Sequence, residues 1–169
     1  MVEISLSGIT SGSWSAATGD FSPKVGEKLL LSLEQLEKYA DLVERWSGDF
    51  ALVIPSDVDI KTLDHWLTHL GMIELTVEGF ADGRIFTQAR SLRDAGFKGE
   101  IRVAGPVIPD QAKFLARVGV DTVIVEGAGR AKAFETALQR FNLFYQTSAD
   151  QQVPVSLLRH NAAEQRKAS

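Results

Sequence analysis

The chain contains no cysteine, which excludes disulfides, thiol nucleophiles, cysteine-based zinc sites and iron–sulfur ligation by this protein. If it serves a redox pathway, the electrons pass elsewhere. Basic residues are in the minority: 18 Lys and Arg stand against 22 Asp and Glu, a formal net charge of −4, and no basic arm breaks that balance. A general nucleic-acid surface is therefore not expected. No apolar run approaches the roughly 20 residues of a membrane span, and the N-terminus lacks a charged region followed by an apolar core; no membrane contact and a cytoplasmic location are expected.

Histidine is scarce too, with three in the chain. His65 and His69 have the i, i+4 spacing that can chelate a metal, but no HExxH arrangement supports them. They read as solvent-facing or packing side chains, and no metal is expected. Ser56, Thr87 and Ser91 have no histidine base nearby in sequence, and His160 lies in the tail. Gly127-Ala128-Gly129-Arg130 follows a strand and opens a helix, the position of a phosphate cradle. It lacks both the third glycine of a dinucleotide fingerprint and a P-loop lysine, so it reads as a tight turn. NAD, FAD and ATP have no sequence support, and no cofactor is expected.

What is present suits one core: 169 residues, 44% of them hydrophobic. Residues 1–26, rich in Ser, Gly and Thr, read as a partly ordered N-terminal segment. Residues 2–6 form an edge strand or hairpin there, and Trp14 and Phe21 pin the segment down. Residues 27–146 read as a single α/β domain and 147–169 as a C-terminal tail along the surface. Within the domain, 29–31 make a short strand. Ser32 and Gln35 then have capping-box spacing, and Leu33, Leu36, Tyr39, Ala40, Val43 and Trp46 continue at helical spacing until Gly48.

From Phe50 a rhythm sets in. Strands at 50–54, 72–77, 100–104 and 122–125 alternate with helices at 60–70, 83–95, 110–118 and 130–144, which predicts parallel βαβ units. Strands buried on both faces should be apolar throughout, yet Glu74 and Thr76 share one face, as do Glu100 and Arg102. Four βα units with helices on one side and a semi-polar face on the other predict an α/β fold forming a TIM-like half-barrel, its open side covered by the N-terminal segment or a partner. The alternative is a flavodoxin-like open sheet.

In either architecture the loops after the strands gather at one edge. They bring together Ser56, Asp57, Asp82, Arg84, Gln88, Asp110, Gln111, Glu126 and Arg130, with Arg102 pointing the same way. Helix N-termini there offer unpaired N–H groups, so with Arg84 and Arg130 they predict a site for a phosphate, sulfate or sulfite-like anion. Gln88, Arg102 and Gln111 complete the candidate substrate-binding set, and Asp82 and Asp110 are the candidate acid and base. The plainer reading makes Asp82 a helix cap paired with Arg84, Glu100–Arg102 an ion pair, and Gln88 a cap on a loop carbonyl.

The run Phe80, Asp82, Gly83, Arg84, Gln88, Ala89, Arg93, then Gly99, Glu100, Arg102, Gly105, then Asp110, Gln111, Gly119 and Asp121 resembles a bacterial domain-of-unknown-function family, number 934, over about residues 50–146. The chain departs from that family's pattern at Val77, Glu78, Gly79 and Pro106. Members are named as oxidoreductases or sulfite-assimilation proteins because their genes commonly lie beside that of sulfite reductase. The resemblance thus implies an accessory protein of sulfite or sulfate assimilation that docks on sulfite reductase or its electron donor and binds a small anion. The alternative is a small enzyme, a reductase subunit, lyase or isomerase acting on an anionic metabolite at the strand edge. A homodimer, in which two half-barrels cover each other's polar faces, is a further expectation.

Overall fold

Seven strands make one sheet in the computed structural model, which describes residues 1–8, 13–17, 26–46, 49–149 and 153–159. The readings placed on Phe21, Gly48 and His160 lie outside these residues. The strands are β1 (Val2–Ser5), β2 (Ser15–Ala16), β3 (Leu29–Leu31), β4 (Phe50–Pro55), β5 (Leu70–Thr76), β6 (Glu100–Ala104) and β7 (Thr122–Val125). Their spatial order is β1-β7-β6-β5-β4-β3-β2. From β2 to β7 every neighbour is parallel and follows in chain order; β1 alone runs antiparallel, against β7.

That order decides between the two architectures. A flavodoxin-like sheet reverses direction at a switch point, which sends helices to both faces. Here nothing reverses, and crossovers of a single hand put every helix on the same face. The sheet is a curled half-barrel, as the semi-polar strands imply.

Register sorts the side chains accordingly. Ile73 pairs with Ile101, and Leu75 with Val103, which pairs with Val123. These residues face the helices and pack with Ile85 and Leu92 of α3 (Arg84–Asp94), Leu115 of α4 (Ala112–Val118) and Phe134 of α5 (Ala128–Gln139). Each such buried side chain contributes roughly 1.5–3 kcal/mol. One residue out of step, Glu74 pairs with Arg102 and Arg102 with Thr122, so these three share the concave face.

Ser32 and Gln35 form the predicted capping box, with the Ser32 N–H donating to Gln35 Oε1 at 2.9 Å. The helix they start breaks at Tyr39 into α1 (Leu33–Lys38) and α2 (Ala40–Arg45). The helix expected at 60–70 is a short 3₁₀ helix, Ile60–Leu63, followed by turns. Trp66 N–H bonds to the Leu63 carbonyl and His69 N–H to that of Trp66, and this three-residue period brings Ile60, Leu63 and Trp66 to the core side. α5 ends at Gln139 rather than 144, because the residues beyond it engage other partners: Arg117 stacks 3.8 Å from the Phe144 ring, and the Phe144 carbonyl accepts the Val155 N–H. Gly105, at φ +130°, closes the end of β6, where a Cβ would stand 2.3 Å from the Val77 carbonyl oxygen.

Candidate functional site

The loops after β4 and β5 meet at the first turn of α3. β4 stops at Pro55, leaving Ser56 buried against the β5 loop. α3 forms because Ile85, Ala89 and Leu92 recur as one buried stripe, with Gly83 as N-cap. Asp82 caps from one residue earlier. Its Oδ1 accepts the Arg84 N–H (3.1 Å) and Nε–H (2.9 Å), while Oδ2 accepts from Arg84 Nη2 (2.8 Å) and from the Ser56 hydroxyl. The carboxylate therefore takes four hydrogen bonds, and Arg84 grips it with both ends of its fork.

These contacts hold the Asp82 carboxyl far below the ordinary carboxylate range. The Arg84 side chain is the chief cause and the Ser56 hydroxyl the next. An oxygen pair so occupied and so weakly basic is poorly placed to take a proton, and Ser56 donates to it with no imidazole between. The depressed pKa has a sign. Asp82 stabilises the fold fully above its ordinary value of 3.8, and that contribution declines as pH falls below it. Thermal unfolding in a buffer series should show wild type losing melting temperature more steeply below pH 3.8 than Asp82→Ala. Parallel curves would mean that the grip does not persist in solution.

The other candidates are tied to backbone. Gln88 Nε2 donates to the carbonyls of Pro55 (3.0 Å) and Val58 (2.9 Å). Gln111 donates to the Phe80 carbonyl and accepts the Ile108 N–H, each at 3.0 Å. Arg130 Nη2 reaches the Val107 carbonyl at 2.7 Å. Arg102 sits inside the concave face, its Nε 2.8 Å from Glu74 and its Nη1 3.3 Å from Glu3. Asp110 is exposed, with Arg140 3.7 Å away.

The predicted set is thus divided among separate hollows. Arg84 and Gln88 line one of about 530 Å³. Arg102 and Arg130 share another of about 580 Å³, between the concave face and the β6 and β7 ends, with Trp14 opposite. Asp110 lines a third. His65 pairs with Glu44 at 3.0 Å, and no group of three metal-ligating side chains occurs among the described residues.

Two features escaped the sequence. Phe114, Phe141, Leu143 and Tyr145 are 68, 62, 65 and 79% exposed and line one groove of about 460 Å³ beside Lys113 and Arg117. Phe114 was legible as the aromatic that steps off the Ala112–Leu115 stripe of α4. Phe141 and Leu143 were hidden by being read as helix, and Tyr145 stands just beyond that helix. The second is a basic hollow at the opposite edge of the sheet, lined by Lys98, Lys113 and Arg117.

A family model described as a bacterial protein of unknown function (DUF934) matches residues 51–156. A search of curated proteins returns no match.

Proposed function

The chain belongs to this bacterial family, and we propose that it works as an accessory protein of sulfite assimilation, docking on sulfite reductase or its electron donor. The reading rests on one feature: four large apolar side chains, spread over α4 and the segment after α5, stand exposed around a single groove. Isolated exposed apolar residues are ordinary, whereas a contiguous aromatic group with a polar rim is characteristic of an interaction surface. Aromatic and Arg side chains are also the residues that carry most binding energy at interfaces. Lys113 and Arg117 rim the groove, so the matching surface on the partner is apolar with acidic neighbours. The choice of partner follows the association that the family resemblance implies.

Because these side chains lie outside the core, Tyr145→Ser should leave the melting temperature unchanged, and Phe114→Asp should lower it only by the loss of one edge contact with Phe86. Each should weaken the complex with purified sulfite reductase, or with its electron donor, by at least about tenfold in a titration. Absence of a complex with either protein, or variants that bind as well as wild type, would reject the reading.

A further inference from the structure

The basic hollow at the N-terminal edge of the strands encloses about 830 Å³. α3 and α4 end there, and β6 and β7 begin. Five cationic side chains line it, Arg90, Arg93, Lys98, Lys113 and Arg117, against two carboxylates, Asp94 and Asp121. Three positive charges are thus in excess around one space in a chain whose net charge is −4.

Two of the five are neutralised locally. Arg90 pairs with Asp94 one turn on, and Arg93 with Asp121. Arg93 also satisfies the carbonyls of Phe97, Gly99 and Gly119, the ordinary work of a cation where helices end. Pairing with a carboxylate does not extend to the remaining three among the described residues. Lys98 is exposed and has no carboxylate partner among the described residues. Lys113 donates to the Leu138 carbonyl (3.1 Å) and Arg117 to that of Gln146 (2.6 Å), and both cations lie over the Phe144 ring, which brings them no counter-charge. Arg117 Nη1 is enclosed and has no hydrogen-bond partner at all. Uncompensated like charges around one cavity repel one another, and a bound anion removes the repulsion. Ser7 and Ser148 add hydroxyls to the wall.

We propose that this hollow binds a small molecule through a phosphate or sulfate group held by Lys98, Lys113 and Arg117. A tetrahedral oxyanion matches the set: the two ammonium groups meet its oxygens as point charges, and the Arg117 guanidinium adds a third positive charge with one unpartnered N–H. This assignment moves the anion from the strand edge around Arg84, whose guanidinium already holds Asp82, to the opposite edge. It does not require the neighbouring aromatic groove to dock a partner, although Lys113 and Arg117 line both.

The test is a titration of the whole chain with inorganic phosphate, sulfate and pyrophosphate, with sodium chloride at matched ionic strength as the control. Melting temperature and, for the phosphates, ³¹P line width are the readouts. At least one oxyanion should raise the melting temperature saturably beyond chloride. Lys98→Gln should weaken that binding about tenfold while unfolding like wild type without ligand, and Lys113→Gln, which also gives up the bond to the Leu138 carbonyl, should weaken it by a similar factor. Arg84→Ala should bind normally. A response no larger than that to chloride would overturn the proposal, as would full binding by Lys98→Gln/Lys113→Gln. The anion that gives the tightest binding tells whether the natural ligand carries phosphate or sulfate.

Discussion

Arg93→Met should destabilise the protein by about 3 kcal/mol, a large share of the roughly 5–15 kcal/mol typical of a domain. Arg93 leaves the last turns of α3 and crosses under β6. There it donates to the carbonyls of Phe97 (2.8 Å), Gly99 (2.9 Å) and Gly119 (3.0 Å), and its remaining nitrogen meets Asp121. Asp121 is buried, and its carboxylate also accepts the Ile101 N–H at 2.8 Å. Methionine keeps the stem and removes the charge, leaving a buried carboxylate with no cation and three carbonyls without their donor. In urea the midpoint should fall with the slope unchanged. Arg93→Met/Asp121→Asn should lose clearly less than the two single losses added, because an amide still accepts from Ile101 without needing a countercharge. A single-variant loss below about 1 kcal/mol would mean that water reaches the carboxylate and the pair behaves as a surface ion pair.

This clamp explains why the residues that carry the family resemblance were legible as a pattern and opaque as chemistry. Arg93, Gly99, Gly119 and Asp121 are spread over 29 positions of sequence and meet at one point. Gly119 is glycine where a Cβ would stand 2.5 Å from the Arg93 Cγ. Gly105 is glycine because Val77 passes close by, and Gln111 holds the Phe80 loop. Much of the pattern is therefore a set of contacts between successive βα units, which maintains the curl of the sheet. Spacing alone cannot distinguish such a contact from a ligand-binding group, since both need polar side chains at fixed offsets.

The fold was easier to read than the site for a physical reason. Period-two and period-3.6 patterns report directly on which face is buried, so β6, β7 and the Ser32 cap fall where the sequence places them. The half-barrel followed from the face shared by Glu100 and Arg102, although Arg102 pairs with Glu74 across the strands, while Glu100 accepts from the Thr122 hydroxyl. Strand pairing joins residues 28 positions apart, and no local signal names the partner. The basic hollow was hidden for a related reason: Lys113 and Arg117 stand one turn apart on α4, but Lys98, in the loop before β6, joins them only when the neighbouring βα units pack side by side.

Arg102→Met and Glu74→Leu, made singly, should each destabilise the fold by about 3–5 kcal/mol, whereas the double variant should recover most of the loss. The two side chains are 7 and 11% exposed and bond at 2.8 Å within the concave face, beside buried Met72. Removing one partner strands the other charge away from water. Removing both leaves apolar groups of similar volume next to apolar neighbours, and Glu3, at the sheet edge and one-third exposed, can turn to solvent. Denaturant unfolding of all four proteins gives the coupling energy directly. The double variant also separates the roles of the two faces: the aromatic groove and the basic hollow draw mainly on the helix layer and its connecting loops, so it should dock and bind anion like wild type. If it refolds to full stability but loses anion binding, the concave face takes part in that site, and Arg102 returns as a ligand-binding residue. If it is no more stable than either single variant, the concave face needs the charge pair itself, for water or packing that two apolar side chains cannot reproduce.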